Sequence, residues 1–245
     1  MSAETVLKTV GLTKYFGKRK VVDDISVETY AGEIFGFLGP NGAGKTTAIK
    51  LIMGLLRRDG GEIYINGVDT RKNFEEAMSY IGGIVENPEM YGYLTGLQNL
   101  KQYMRIRDGV NDERIEEIVR IVGLENRIRE KVKRYSLGMK QRLGVAQAIM
   151  HRPKLLILDE PTNGLDPAGI KELRDMLKQL AHNENVGVFV SSHLLSEMQL
   201  MCDRVGIISN GKLLAVKSLS EVSEQEQSLE DMFIEMTGGG GMQIE

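Results

Sequence analysis

The chain has a single cysteine, Cys202, so it can build neither a disulfide framework nor a thiolate metal cluster from its own residues. Such sparing use of cysteine suits a reducing compartment such as the cytosol. Its three histidines, His151, His182 and His193, do not recur at metal-ligand spacing. No run of about eighteen apolar residues occurs, so these residues contain no candidate membrane-spanning helix. Strong charge of one sign is also missing. A formal net charge of −3 carries no electrostatic footprint of a nucleic-acid binder. The opening residues Met1-Ser2-Ala3-Glu4-Thr5 have neither a basic nor an apolar region, so no secretory signal is expected. No internal repeat is visible. What is present is 245 residues at 42% hydrophobic, enough to bury one large domain or a domain with an inserted lobe.

Against these absences stands Gly39-Pro40-Asn41-Gly42-Ala43-Gly44-Lys45-Thr46-Thr47, which fits the phosphate-loop pattern G-x-x-x-x-G-K-[ST] without a mismatch. Before it, Glu33-Ile34-Phe35-Gly36-Phe37-Leu38 reads as a short buried strand. After it, Ala48, Ile49, Leu51, Ile52 and Leu55 recur at helical spacing, so the loop sits at a strand-to-helix turn. Glycines without side chains let backbone N–H groups converge on a polyphosphate, and the helix N-terminus adds partial positive charge. Lys45 would reach the β- and γ-phosphates, and the Thr46 hydroxyl would be a Mg²⁺ ligand. The motif therefore implies a nucleoside triphosphate.

Residues 5–30 read as β-structure, with Ile25, Val27 and Thr29 alternating with polar neighbours as in a half-buried strand. Gly61 to Gly67 reads as a further short strand closed by a turn. From about Thr95 to Met150 the spacing turns helical, a candidate lobe inserted into an α/β core. Leu155-Leu156-Ile157-Leu158 is an unbroken apolar run, as expected of a parallel strand buried on both faces. Val186–Val190 and Val205–Ile208 repeat that type, with a helix expected at about Ala168–His182. Strand–helix–strand alternation predicts a mostly parallel sheet.

The first of those apolar runs ends in Asp159-Glu160, which puts two carboxylates at the C-terminal edge of a sheet, where ligands bind in open α/β folds. Asp159 would hold Mg²⁺ opposite Thr46, and Glu160 could polarise an attacking water as general base. Two acids merely closing a strand are the plainer alternative. Upstream, Tyr135-Ser136-Leu137-Gly138-Met139 opens a helix. Spacing alone leaves Ser136 equally readable as a plain N-cap or as part of a second anion site, one that closes over a nucleotide held by another copy.

In this order the motifs resemble an ATP-binding cassette (ABC) nucleotide-binding domain over about residues 5–220. Gly39–Thr47 resembles the Walker A motif, Leu155–Glu160 the Walker B motif, and Tyr135–Met139 the signature usually written LSGGQ. Gly164-Leu165-Asp166 resembles the D-loop, and His193 the switch histidine, whose ring N–H would contact the γ-phosphate and hold the Glu160-bound water in line. Phe16 falls where the family stacks an aromatic ring on adenine, with Tyr15 the lesser candidate. The resemblance implies a P-loop cassette with a mostly parallel core, an N-terminal antiparallel β-subdomain and a helical subdomain at about 95–150. It also implies ATP and Mg²⁺, and a head-to-tail dimer in which Ser136 and Gly138 of one copy face the other copy's Walker A.

Two departures stand out. Glu86, in Ile81-Gly82-Gly83-Ile84-Val85-Glu86-Asn87-Pro88, replaces the usual Q-loop glutamine; it could ligate the metal or serve as a coupling hinge. Leu137 and Met139 replace a glycine and a glutamine of the signature, while Ser136 and Gly138 remain. Both features resemble ATP-binding subunits of ABC-2-type exporters of bacitracin and lantibiotics. Residues 221–245 are expected to form a short closing helix, Ser228–Thr237, and a flexible Gly-rich tail, with fewer residues before that helix than the family usually has. The reading is an ATPase at the cytoplasmic face of the membrane that powers a separate integral membrane permease exporting antimicrobial peptides or drugs. A soluble ABC protein acting on ribosomes or nucleic acid is the alternative, disfavoured by a single compact cassette without a basic surface.

Overall fold

The computed structural model describes residues 4–106, 109–224 and 233–234. In chain order the strands are β1 (Thr5–Phe16), β2 (Arg19–Ile25), β3 (Glu28–Tyr30), β4 (Ile34–Leu38), β5 (Gly60–Ile65), β6 (Val68–Asp69), β7 (Ile81–Ile84), β8 (Leu155–Asp159), β9 (Gly187–Ser192), β10 (Arg204–Ser209) and β11 (Lys212–Ser218). They form two sheets. One is antiparallel, in the order β2-β1-β5-β6 with β3 also against β1; the other runs β11-β10-β4-β9-β8-β7 and is parallel except for β11.

The second sheet divides two apolar cores, and the period of two along each strand decides which side chain enters which. Phe35, Phe37, Leu155, Ile157 and Phe189 point to the core shared with the antiparallel sheet, with α1 (Lys45–Ile52) and with α2 (Phe74–Ser79). Ile34, Leu38, Leu156, Leu158, Val188 and Val190 point to the other. That core is closed by α3 (Gly96–Met104), α4 (Asp112–Ile121), α5 (Leu137–Ala148), α6 (Pro167–Lys178) and α7 (Leu195–Met201). Phe35 and Phe189, opposite each other on β4 and β9, stack with ring centroids 5.6 Å apart. Truncating either to Ala would cost about 3–5 kcal/mol, because a ring-sized void cannot fully collapse in a packed interior.

The expected helical lobe is present as three helices, and each start has a side chain that satisfies orphan backbone donors. Thr95 and Gln98 form a capping box at α3, the Asn111 side chain accepts from Arg114 N–H at α4, and Ser136 accepts from Met139 N–H at α5. The helix expected at Ala168–His182 begins with Asp166 as cap and Pro167 in its first turn, and runs into a π-helical turn at Gln179–Asn183. The strand read through Ile25, Val27 and Thr29 is split between β2 and β3, although all three side chains are buried. Of the expected closing helix only Phe233 and Ile234 are described, with Phe233 buried in the helical-side core; the Gly238–Gly241 tail lies outside the described residues.

Candidate functional site

Parallel strands deliver their C-terminal ends to one edge, and here that edge gathers the chemistry. β4 leads into the phosphate loop, β8 ends at Asp159 with Glu160 next, β9 ends at Ser192 with His193 next, and β7 leads to Glu86. Pairing of β4 with β9 and of β9 with β8 makes the first three segments neighbours, and Gly39 N–H donates to the Ser192 carbonyl at 3.2 Å. Gly44 has φ of +107°, and a Cβ there would lie 2.6 Å from the Val21 carbonyl oxygen. Only glycine fits. The same packing seats the β1–β2 hairpin against the phosphate loop.

Lys45 is buried, and its ammonium donates to the carbonyls of Gly39 at 2.7 Å and Pro40 at 3.3 Å. It also lies 3.0 Å from Oε1 of Glu160, whose Oε2 is 2.8 Å from His193 Nδ1. The carboxylate is thus held between a cation and an imidazole, on a residue whose backbone sits in the left-handed region at φ +48°. With Glu160 ionised the shared proton belongs to Nδ1. Donation to a phosphate must then come from Nε2 of a doubly protonated ring, or from Nδ1 after Glu160 turns away. Asp159 is buried one residue earlier.

Ser191, which the sequence reading passed over, ties these acids together. Its hydroxyl donates to Asp159 Oδ1 at 2.7 Å and accepts from Glu160 N–H at 2.9 Å. Ser192 does similar work nearby, accepting from Leu194 N–H at 2.9 Å. Two adjacent, fully buried serines closing an apolar strand were the available signal, since buried hydroxyls need partners.

Magnesium takes hard oxygen ligands and keeps several waters, using substrate phosphates to complete its shell. The Thr46 hydroxyl and the Asp159 carboxylate suit that chemistry. Among the described residues no cluster of three or more His, Cys, Asp or Glu could hold a metal ion.

The remaining expected residues are placed unevenly. Phe16 ends β1 with its ring half exposed, and Tyr15 beside it is similarly open. Glu86 is ion-paired with Lys50 of α1 at 2.7 Å, and this pairing holds its carboxyl below the ordinary value. Its backbone is left-handed, with φ of +65°. Lys50 engages Oε1 of that carboxylate, so a metal-ligand role for Glu86 would compete with the pair or fall to Oε2. Ser136 caps α5, and Gly138 beside it meets the D-loop-like segment: a Cβ on Gly138 would find Gly169 and Leu165 no closer than 3.8 Å. Neither space nor a positive φ explains that glycine within the chain.

The family model described as ABC transporter matches residues 22–163. The chain belongs to the ABC transporter ATP-binding family. The cassette is 52% identical over 91% of its length to the ABC transporter ATP-binding protein YhcH of Bacillus subtilis, described as uncharacterized, and spans 73% of that protein. It is 49% identical to the bacitracin transport ATP-binding protein BcrA of Bacillus licheniformis, covering 86% of this chain and 69% of BcrA. The lantibiotic transport ATP-binding protein SrtF of Streptococcus pyogenes is 38% identical over 93% of the cassette and 96% of its own length. A solved ATP-binding subunit of an ABC transporter superposes with a TM-score of 0.82 at 30% identity, covering 95% of this chain and 99% of that one. As a member of this family the cassette binds ATP and is an ATPase. Among the described residues no helix is long and apolar enough to cross a membrane.

Proposed function

We propose that the cassette powers a separate membrane permease, on whose cytoplasmic side it sits, and that the cargo is an antimicrobial peptide or related drug. The observation that carries the catalytic part is the Lys45–Glu160–His193 cluster beside the phosphate loop. ATP phosphates entering that loop take over the Lys45 ammonium, which releases Glu160 to accept a proton from the attacking water. His193 keeps that carboxylate oriented and donates to the γ-phosphate. The loop amides from Gly39 to Thr47 cradle the phosphates, and Phe16 stacks on the base. Thr46 and Asp159 would hold Mg²⁺, which supplies charge neutralisation on the β- and γ-phosphate oxygens; Glu86 would join them through Oε2 or in competition with Lys50.

Gly138 supports the dimer. A glycine that nothing inside the chain requires is understandable if a phosphate of a second copy's ATP approaches it, with Ser136 and the α5 N-terminus supplying donors. The names of BcrA and SrtF support the cargo class. The test is affinity purification from detergent-solubilised cells followed by mass spectrometry. Near-stoichiometric recovery of a multi-spanning membrane protein is expected. Recovery of ribosomal proteins or nucleic-acid factors without an integral membrane protein would overturn the transport reading.

A further inference from the structure

A lysine normally keeps its ammonium in water and buries only its stem. Lys14 has most of its side chain covered, only 12% of it being exposed, and its ammonium is held at the surface by two partners. Its Nζ donates to the Arg57 carbonyl at 2.7 Å and lies 3.2 Å from Asp59 Oδ1. The other carboxylate oxygen of Asp59 accepts the Tyr15 N–H at 2.7 Å, so one acid fixes both the side chain and the backbone at the end of β1. Arg57 and Asp59 belong to the segment between α1 and β5, a different part of the chain from the hairpin they hold. The ammonium also stands over the Phe16 ring, 5.7 Å from its centroid, within cation–π range. Lys20 stands over Tyr15 in a similar way, but its ion partner Asp23 lies three residues along the same strand rather than in a distant segment.

We propose that Lys14 is a positioning residue for nucleotide binding, holding the Phe16 ring from behind so that its open face receives the base. This rests on the stacking role assigned to Phe16 above. Phe16 is 51% exposed, which leaves room for a base against the ring while the clamped ammonium stands over it. The hairpin that carries the ring also reaches the phosphate loop. Phe16 pairs with Arg19, and Val21, two residues or about 7 Å further on, packs its carbonyl against Gly44 of the phosphate loop. A cation behind the ring also withdraws π-density from the face that meets an electron-rich purine, which favours stacking. Lys14 thereby converts a loosely held exposed ring into a preorganised platform.

The test is titration of the full chain, without metal, using ATP and using inorganic tripolyphosphate, which has no base. Phe16→Ala should weaken ATP binding about 5- to 100-fold, the range for loss of one stacked base. Lys14→Met should weaken ATP about 3- to 10-fold, leave tripolyphosphate unchanged, and add nothing in a Phe16→Ala background. Lys14→Arg, which keeps a cation over the ring, should restore most of the loss. Asp59→Asn, which leaves Lys14 in place and weakens its anchor together with the acceptor of the Tyr15 N–H, should show the same base-dependent pattern about 2- to 3-fold and serves if Lys14→Met fails to fold. Equal losses for ATP and tripolyphosphate, or additivity with Phe16→Ala, would overturn the proposal. If Phe16→Ala leaves ATP affinity untouched, the stacking reading itself fails; if only the Lys14 variants are silent, that reading survives and the proposal does not.

Discussion

The phosphate end of the site and the signature helix differ in how complete they are within one chain. At the phosphate end every strong group already has a partner: Lys45 has two carbonyls and Glu160, Glu160 has His193, and Asp159 has Ser191. Its glycine at position 44 is demanded by the chain's own backbone. At the signature helix, Leu137 is 40% exposed, and a Cβ on Gly138 would meet its neighbours only at ordinary contact distance, none closer than 3.8 Å. The contrast teaches that the chain's own packing accounts for the first region, whereas the second is accounted for only by the proposed second copy. On the proposed function, these internal pairs are what the nucleotide phosphates displace.

Lys45→Ala and Glu160→Gln break the first region, and each should lower ATP turnover about 10²- to 10³-fold, the scale of losing one preorganised charged group. Lys45→Ala should weaken nucleotide binding as well, whereas Glu160→Gln should leave it intact or tighter, since its carboxylate competes for Lys45; parallel ATPase assays and calorimetry distinguish them. Gly138→Asp breaks the second region. It fits sterically, with no neighbour closer than 3.8 Å to the new Cβ. A carboxylate against a phosphate should cost turnover about 10²-fold through like-charge repulsion, while ATP affinity of the isolated chain stays within about twofold. Weakened monomer binding in that variant would erase the contrast between the regions.

How much of this was legible beforehand follows the same division between near and far. The phosphate loop, the Asp159-Glu160 pair and His193 are readable because each motif is contiguous and sits where a strand ends. The order of α/β elements was readable because period and length separate buried strands from helices. What was not readable are pairings set by the sheet order. Ser191 bridges acids 31 and 32 residues away, Glu86 finds Lys50 36 residues back, and Lys14 finds Asp59 45 residues on. Alternation also failed to mark the break between β2 and β3, because Ile25, Val27 and Thr29 stay buried across it while Asp24 takes φ of +58°.

Ser191→Ala sharpens the picture of the phosphate end at smaller amplitude. It leaves the half-buried Glu160 N–H without its acceptor and removes a donor from the buried Asp159, a loss of about 1–3 kcal/mol in stability, read as a shift in urea midpoint. Turnover should fall about tenfold, the lower bound for removing a partner that orients site residues. An unchanged midpoint with unchanged turnover would mean that the acids hold themselves in place.

The smallest effect concerns the clamp at the base end. Asp59 has its carboxyl held below the ordinary value of 3.8, first by the Tyr15 N–H and then by the Lys14 ammonium. A folded-state value below the unfolded one means the contribution is present above the ordinary carboxylate range and is lost as pH falls through the folded value. Because Asp59 is exposed, screening keeps that contribution modest. Thermal midpoints of wild type and Asp59→Asn should therefore differ slightly at neutral pH and converge below pH 3.8. ATP affinity, followed over the same range, should separate the clamp from the phosphate loop. Wild type should approach Asp59→Asn for ATP, while the ratio of their affinities for tripolyphosphate stays at one throughout. A clamp that acts on the ring can fail in acid in just this base-dependent way, whereas one that merely braces the hairpin would carry the phosphate loop with it.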